Sequence, residues 1–434
     1  MSIAITDEHR ALAQTVSDFL DKNGARAAAR ELLTAEREGL PSYWRELGQL
    51  GWLGLHLPEE HGGSGYGLPE LVIVAEEMGR AVAPGPFVPT VTAGAALAGA
   101  APADLQARWL PGFADGSLVG AFALGGDVLV SGGKASGKAG TVLSGDVADV
   151  LLVVAGDDVA IIDRHGEGVA VTVPANLDPT RRAARITLDG APAEVVNGGR
   201  QLLTDLARTL LAAEAAGAAR ACTEMATAYA KVREQFGRPI GMFQAVKHHC
   251  ANMLVGAELA TAAVWDAARA AAAGGEQFTY TAAIAATLAL AAADENANLN
   301  TQVHGGIGFT WEHDAHLYLR RATAIEAIID AEAAALQVTD SVTKGVKRQR
   351  AIDLPAEAEP IRAVVREFTG RLADLDADAR RKAMIESGYV MPNWPRPWGR
   401  DAGAVEQLVI EQEFAAAGIK RPSYGITSWV ILTL

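Results

Sequence analysis

The chain has 434 residues, 50% hydrophobic but only 6% aromatic, which is long enough for two or three domains around a large core of aliphatic side chains and alanine. A formal net charge of −14 leaves no obvious basic face, which argues against a nucleic-acid partner. Two cysteines, Cys222 and Cys250, provide neither zinc spacing nor a disulfide framework, so no metal site is expected and a reducing cytoplasm is the default compartment.

The opening MSIAITDEHRALAQTVSDFL carries acids and no uninterrupted apolar stretch, so it does not read as a signal peptide. The longest apolar run, Ala282 to Ala293, is too short to span a bilayer. Residues 1–117 read as a helical domain: Thr6-Asp7-Glu8 offers a helix start, and Leu12, Val16, Phe19 and Leu20 recur at helical spacing. LPEEHGGSGYG, from Leu57, is a loop by composition, and ELVIVAEEMGRA resumes a helix that PGPFVP stops.

Over residues 118–198 the pattern changes to short runs rich in valine and isoleucine, cut by glycine and aspartate, which predicts an antiparallel β domain. Residues 199–348 return to long helices near 201–236, 242–273, 277–303 and 312–345, a four-helix bundle. The fold class expected is therefore mainly α with a central β domain.

Residues 349–434 begin with the linker LPAEAEP and then repeat the start of the chain. At a constant offset, Gly51, Pro58, Gly62, Leu71, Val72, Ile73 and Glu76 match Gly388, Pro395, Gly399, Leu408, Val409, Ile410 and Glu413. The expectation is one whole module followed by the opening of a second. The last residues, ITSWVILTL, are an apolar segment without a cap.

Three stretches then come in order: PEEHGGSG at Pro58, REQFGRPIGMFQAVKHHCANM at Arg233, and QVHGGIGFTWEHDAHLYLRRA at Gln302. On them, residues 5–345 resemble the acyl-CoA dehydrogenase family. The resemblance implies FAD bound between subunits of an oligomer, an acyl-CoA substrate, and an electron-transfer flavoprotein as acceptor. It implies cofactor contacts at Arg233, Phe236, Gly237, Gln302, Gly305 and Gly306. The chemistry suits these types: an arginine fork for pyrophosphate, an aromatic for adenosine, and glycines where backbone meets cofactor. His304, His248 and His249 receive no role, Glu312 reads as the start of the last helix, and Arg320-Arg321 as a solvated or interface pair.

The family's catalytic glutamate has two alternative positions, which fall here on Ile329 and Ala207; neither can accept a proton. Asp330, one residue on, would point about 100° away along a helix. The flavin-contacting Thr-Glu-Pro-x-x-Gly-Ser-Asp type segment is also absent, since the chain reads AFALGGDVLVSGG there. The resemblance is thus to the supporting, non-catalytic half of a fused or heteromeric actinobacterial-type enzyme, a class linked to CoA thioesters of steroid side chains. A second module, in cis or in trans, would supply the base. The alternative reading is a redox-silent assembly or CoA-ligand-binding protein on the same fold.

Overall fold

The computed structural model describes residues 5–348 and 354–431, and these fall into two compact units, one running from Glu8 through the bundle and one formed by the C-terminal helices. The start of the expected linker, residues 349–353, lies outside the described residues, as do residues 1–4 and 432–434 of the expected apolar end.

The first unit opens with six helices: α1 (Asp7–Lys22), α2 (Ala25–Leu32), α3 (Trp44–Gln49), α4 (Leu68–Arg80), α5 (Phe87–Ala100) and α6 (Ala103–Asp115). α1 is amphipathic and buries Val16 and Leu20, one turn apart. α5 is apolar on every side, and it is buried along most of its length. Eight strands follow: β1 (Gly120–Ala123), β2 (Leu129–Ser131), β3 (Lys134–Leu143), β4 (Val150–Ala155), β5 (Asp158–Asp163), β6 (Val169–Thr172), β7 (Ala183–Pro192) and β8 (Glu194–Val196). They make two sheets, ordered β1-β4-β5-β8 and β2-β3-β7-β6. Pairing is antiparallel apart from β1 with β4. Those two run parallel because the chain leaves for the other sheet between them and returns in the same direction. β4, VLLVVA, is buried on both faces, whereas β7 alternates inward and outward.

The bundle comprises α7 (Arg200–Val232), a short hairpin of β9 (Glu234–Gln235) and β10 (Arg238–Pro239), α8 (Gln244–Ala270), α9 (Gly275–His304), α10 (Ala315–Glu326) and α11 (Ala331–Thr343). Two expectations are corrected. α7 ends at Val232 instead of running to 236, because the hairpin takes over the backbone. The span 312–345 is two helices, because Asp330 adopts an extended conformation (φ −69°, ψ 99°) and its carboxylate accepts the N–H of Ala333. A helix start inside a helical periodicity resets it.

Small residues bring α4 and α7 together. A Cβ on Gly79 would lie 1.9 Å from the Glu214 carbonyl oxygen, and one on Gly217 would lie 1.8 Å from that of Glu76. The helices therefore cross backbone against backbone. Beside the crossing lies a buried ionic network that corrects the reading of Arg321 as solvated: it is fully buried. Its guanidinium donates to Asp178 and Glu214, both at 2.6 Å, to the Thr180 hydroxyl at 2.7 Å, and to the Ala83 carbonyl at 3.3 Å. Arg181 donates to the second oxygen of Glu214 at 2.6 Å. Burial works against the Arg321 charge, but the two carboxylates outweigh it and raise its pKa above the ordinary arginine value. Glu76, on α4, is the opposite case. It is buried with one carboxylate oxygen unpartnered, and burial pushes its pKa up to about 8.

In the second unit, α12 (Ala358–Ala373), α13 (Ala377–Glu386), α14 (Ala404–Ala416) and a last turn α15 (Thr427–Val430) surround their own core. Gly388 has φ 74°, the same as Gly51. Each is followed by a buried aromatic that meets a phenylalanine of the unit's first helix: Trp52 on Phe19 at 5.1 Å, and Tyr389 on Phe368 at 4.3 Å. Val409, Ile410 and Glu413 are buried, as are Val72, Ile73 and Glu76. Unlike Glu76, Glu413 is held by Arg362 and Arg366, each at 2.8 Å.

Two stability predictions follow from these buried charges. Arg321→Ala leaves Asp178 and Glu214 without their shared cation and is expected to cost about 3–5 kcal/mol, read as a lower denaturant midpoint. Glu76→Gln tests the opposite sign. Its native pKa of about 8 lies above the ordinary 4.5, so native protein holds a proton that unfolded chain has lost, and stability falls as pH rises from 4.5 to 8. Urea melts should show the glutamine variant less sensitive to pH across that window, with its advantage greatest at pH 8 and above; equal pH slopes would refute this.

Candidate functional site

The hairpin after α7 is built by two residues with positive φ, Phe236 at 55° and Gly237 at 78°, a turn that matches the twist of a two-residue hairpin. Glycine takes this conformation freely, but phenylalanine does so at a steric cost. The cost is not recovered by burial, because Phe236 is 92% exposed. Phe243 meets its edge at 6.0 Å, and the Arg238 guanidinium lies 4.2 Å from the Phe243 ring. Gly241 is required on other grounds: a Cβ there would lie 2.9 Å from the Ala230 carbonyl oxygen. Arg233 is exposed at the helix end and has no ion pair among the described residues.

The second stretch ends α9. Gly305 (φ 62°) turns the chain out of the helix, and its N–H caps the carbonyls of Thr301 and Gln302. A Cβ on Gly305, Gly306 or Gly237 would meet open space. Gln302 is exposed. The two stretches are brought together by rings: Tyr229, in the last turn of α7, stacks on His304 at 4.4 Å, and His304 lies 4.2 Å from His313. A cation, an amide, open glycine backbone and an exposed aromatic thus share one end of the bundle. These residues fit a pyrophosphate-bearing dinucleotide in chemistry: a free fork for phosphate, peptides open to close approach, and a ring face for a base.

The candidate catalytic positions lie elsewhere. Ala207 and Ile329 are both within the apolar core, at 0% and 1% exposure. Asp330 is exposed, and its carboxylate is engaged in starting α11. After β1 the chain turns at Gly125-Gly126 directly onto β3, where a Cβ on Gly126 would lie 2.2 Å from the Lys138 carbonyl oxygen. Asp127 accepts the Lys138 N–H at 2.5 Å. A cavity of about 270 Å³, bordered by Gln201, Thr279 and Lys344 among others, opens at the start of α7. It is separated from Arg233 by the length of that helix, roughly 48 Å at 1.5 Å per residue. Asp205, beside Gln201, accepts from it and from Thr279, while burial pushes the Asp205 pKa up to about 6.

Sequence reasoning missed three features. His304 is buried between the rings of Tyr229 and His313 and so links α7 to the turn after α9. Phe236 carries a strained φ that its residue type conceals. Arg30, on α2, reaches the turn after Gln302 from far away in sequence. Only the first had a local signal, a histidine directly before two glycines. Among the described residues no group of three histidine, cysteine, aspartate or glutamate side chains could hold a metal, and no helix is long and apolar enough to cross a membrane.

Known proteins resemble this chain over both of its helical regions. Residues 6–117 match the family described as acyl-CoA dehydrogenase, N-terminal domain, and residues 201–329 match acyl-CoA dehydrogenase, C-terminal domain. Acyl-CoA dehydrogenase FadE34 of Mycobacterium tuberculosis is 39% identical over 446 residues, covering 100% of this chain and 62% of that protein. The chain thus spans less than two thirds of that relative's length. Acyl-CoA dehydrogenase IpdE2 of the same organism is 37% identical over 336 residues, covering 77% of this chain and 97% of that protein. Among solved structures, a variant of the Tcur3481-Tcur3483 steroid ACAD superposes with a TM-score of 0.72 at 30% identity, over 78% of this chain and 98% of that one. With both family domains matched and a relative 37% identical over 97% of its length, the chain belongs to the acyl-CoA dehydrogenase family.

Proposed function

We propose that this chain is the supporting, non-catalytic module of an FAD-dependent acyl-CoA dehydrogenase that desaturates an acyl-CoA thioester between its α and β carbons. One observation carries the reading: both glutamate positions are filled by buried apolar residues, Ala207 and Ile329, while the cofactor-contacting stretches are retained, exposed and adjacent. FAD, when bound, supplies the acceptor for the hydride leaving the β carbon. Arg233 would bind its pyrophosphate, Phe236 would pack on the adenosine part, and Gln302 with Gly237, Gly305 and Gly306 would let amide and backbone approach. Neither family position, Ala207 or Ile329, carries a group that could remove the α proton, so that task would fall to a second module.

Several observations support a second module. The full-length match to a relative that extends well beyond this chain and the repeated glycine-aromatic turn at Gly51 and Gly388 favour one in cis. α8 presents Leu254, Val255 and Leu259 to solvent, which favours an oligomer. A steroid side-chain CoA thioester is the substrate class we infer from the steroid ACAD relative, with an electron-transfer flavoprotein as acceptor and the cytoplasm as compartment. A redox-silent CoA-ligand-binding protein on the same fold is the alternative; it predicts no flavin in any complex that contains the chain.

Purified chain mixed with an acyl-CoA and a dye acceptor should show no turnover above background, and activity should appear only when a module bearing the glutamate is present. Robust turnover by this chain alone would reject the reading. Arg233→Ala should weaken FAD retention in the active assembly by roughly 10- to 100-fold, the value of a charge-assisted phosphate contact. Fluorescence titration with FAD measures this, and an unchanged affinity would remove Arg233 from the site.

A further inference from the structure

We propose that Arg30 is a positioning residue for the cofactor turn: its guanidinium fork, reaching across from α2, sets the segment 305–314 that carries Gly305 and Gly306. The inference rests on the FAD reading above and adds a residue outside the motifs that suggested it.

The geometry is two-pronged. One terminal nitrogen of Arg30 donates to the Asp314 carboxylate at 2.6 Å, and the other donates to the Trp311 carbonyl at 2.8 Å. The acceptors differ in kind and lie three residues apart, so one planar fork fixes both a side chain and the backbone of the turn. α2 is itself anchored. It buries Ala25 and Ala29, and Arg26, one turn before Arg30, donates to the Tyr318 hydroxyl at 2.6 Å. That hydroxyl donates in turn to the Arg80 carbonyl at 2.7 Å.

The turn opens as a short 3-10 helix, Gly305–Phe309, with Gly308 buried close to the Thr301 carbonyl. Thr310 closes it, its N–H and its hydroxyl both donating to the Ile307 carbonyl, and the glycines at its start face open space. Further contacts hold its two ends. At the first end, His304 is stacked on Tyr229 and donates from Nδ1 to the Asn300 carbonyl at 2.8 Å. At the second end stands the Arg30 fork. Between them His313 accepts the Ala315 N–H at Nδ1, 3.1 Å away, which requires that nitrogen to be unprotonated. Burial first, and then the neighbouring His304, lower the His313 pKa in agreement. Trp311 stacks on His316 at 4.9 Å, with Arg320 over its ring at 5.3 Å.

Arg30→Lys keeps the charge and loses the fork. In the full-length chain we expect amide hydrogen exchange over 305–314 to speed up about tenfold. FAD affinity should fall about tenfold with the melting temperature unchanged, and saturating FAD should restore the protection. Asp314→Asn, which weakens one prong only, should show a smaller change in the same direction. Unchanged exchange in Arg30→Lys overturns the inference, as does faster exchange at unaltered FAD affinity. A wild-type chain that takes up no FAD, alone or in assembly, defeats the FAD reading and with it the cofactor role of Arg30; loss of affinity confined to the variant defeats neither and supports both.

Discussion

Arg321 is the tie on which the first unit depends. A guanidinium removed from water is tolerated only when its donors are met, and the Arg321 donors, carried on α10, are met by three separate segments: the β6–β7 connection at Asp178 and Thr180, α7 at Glu214, and the α4–α5 connection at Ala83. The β domain, the N-terminal helices and the bundle are thereby joined at one point. Because Arg181 also uses Glu214, the anchoring carboxylate has both oxygens engaged. The direction of α10, and hence of the turns at both its ends, follows from this tie.

That arrangement separates two kinds of position that in a self-sufficient enzyme would serve one reaction. Ala207 and Ile329 contribute to the apolar core, and a carboxylate placed at either would sit without partners among aliphatic side chains. The stretches proposed to contact the cofactor instead lie where chain segments end: the exit of α7 and the exit of α9. Helix ends are where backbone groups are unpaired and glycine turns are needed, so they suit the binding role proposed for them.

Much of the architecture was legible from periodicity. The 3.6-residue spacing of α1, the alternation of β7 and the continuous apolar run of β4 each correspond to the burial they acquire. The glycine positions of the two cofactor stretches were legible as breaks. What was not legible depended on distance or on a single backbone angle. Asp330 interrupts a helical pattern through one side-chain hydrogen bond, and Arg321 looks like half of a surface pair until Asp178 and Glu214 are placed around it. Arg30 lies more than 280 residues from its acceptors, and no local pattern encodes that pairing.

The crossing of α4 and α7 has a mechanical consequence. Elsewhere in a core a layer of side chains separates neighbouring backbones, and rotamer adjustments can absorb a small displacement. At Gly79 and Gly217 that cushion is missing, since each main chain rests on the other's carbonyl. A tilt of one helix must be matched by the other without slack. The long lever of α7, whose far end carries Arg233, is thus geared directly to the N-terminal domain.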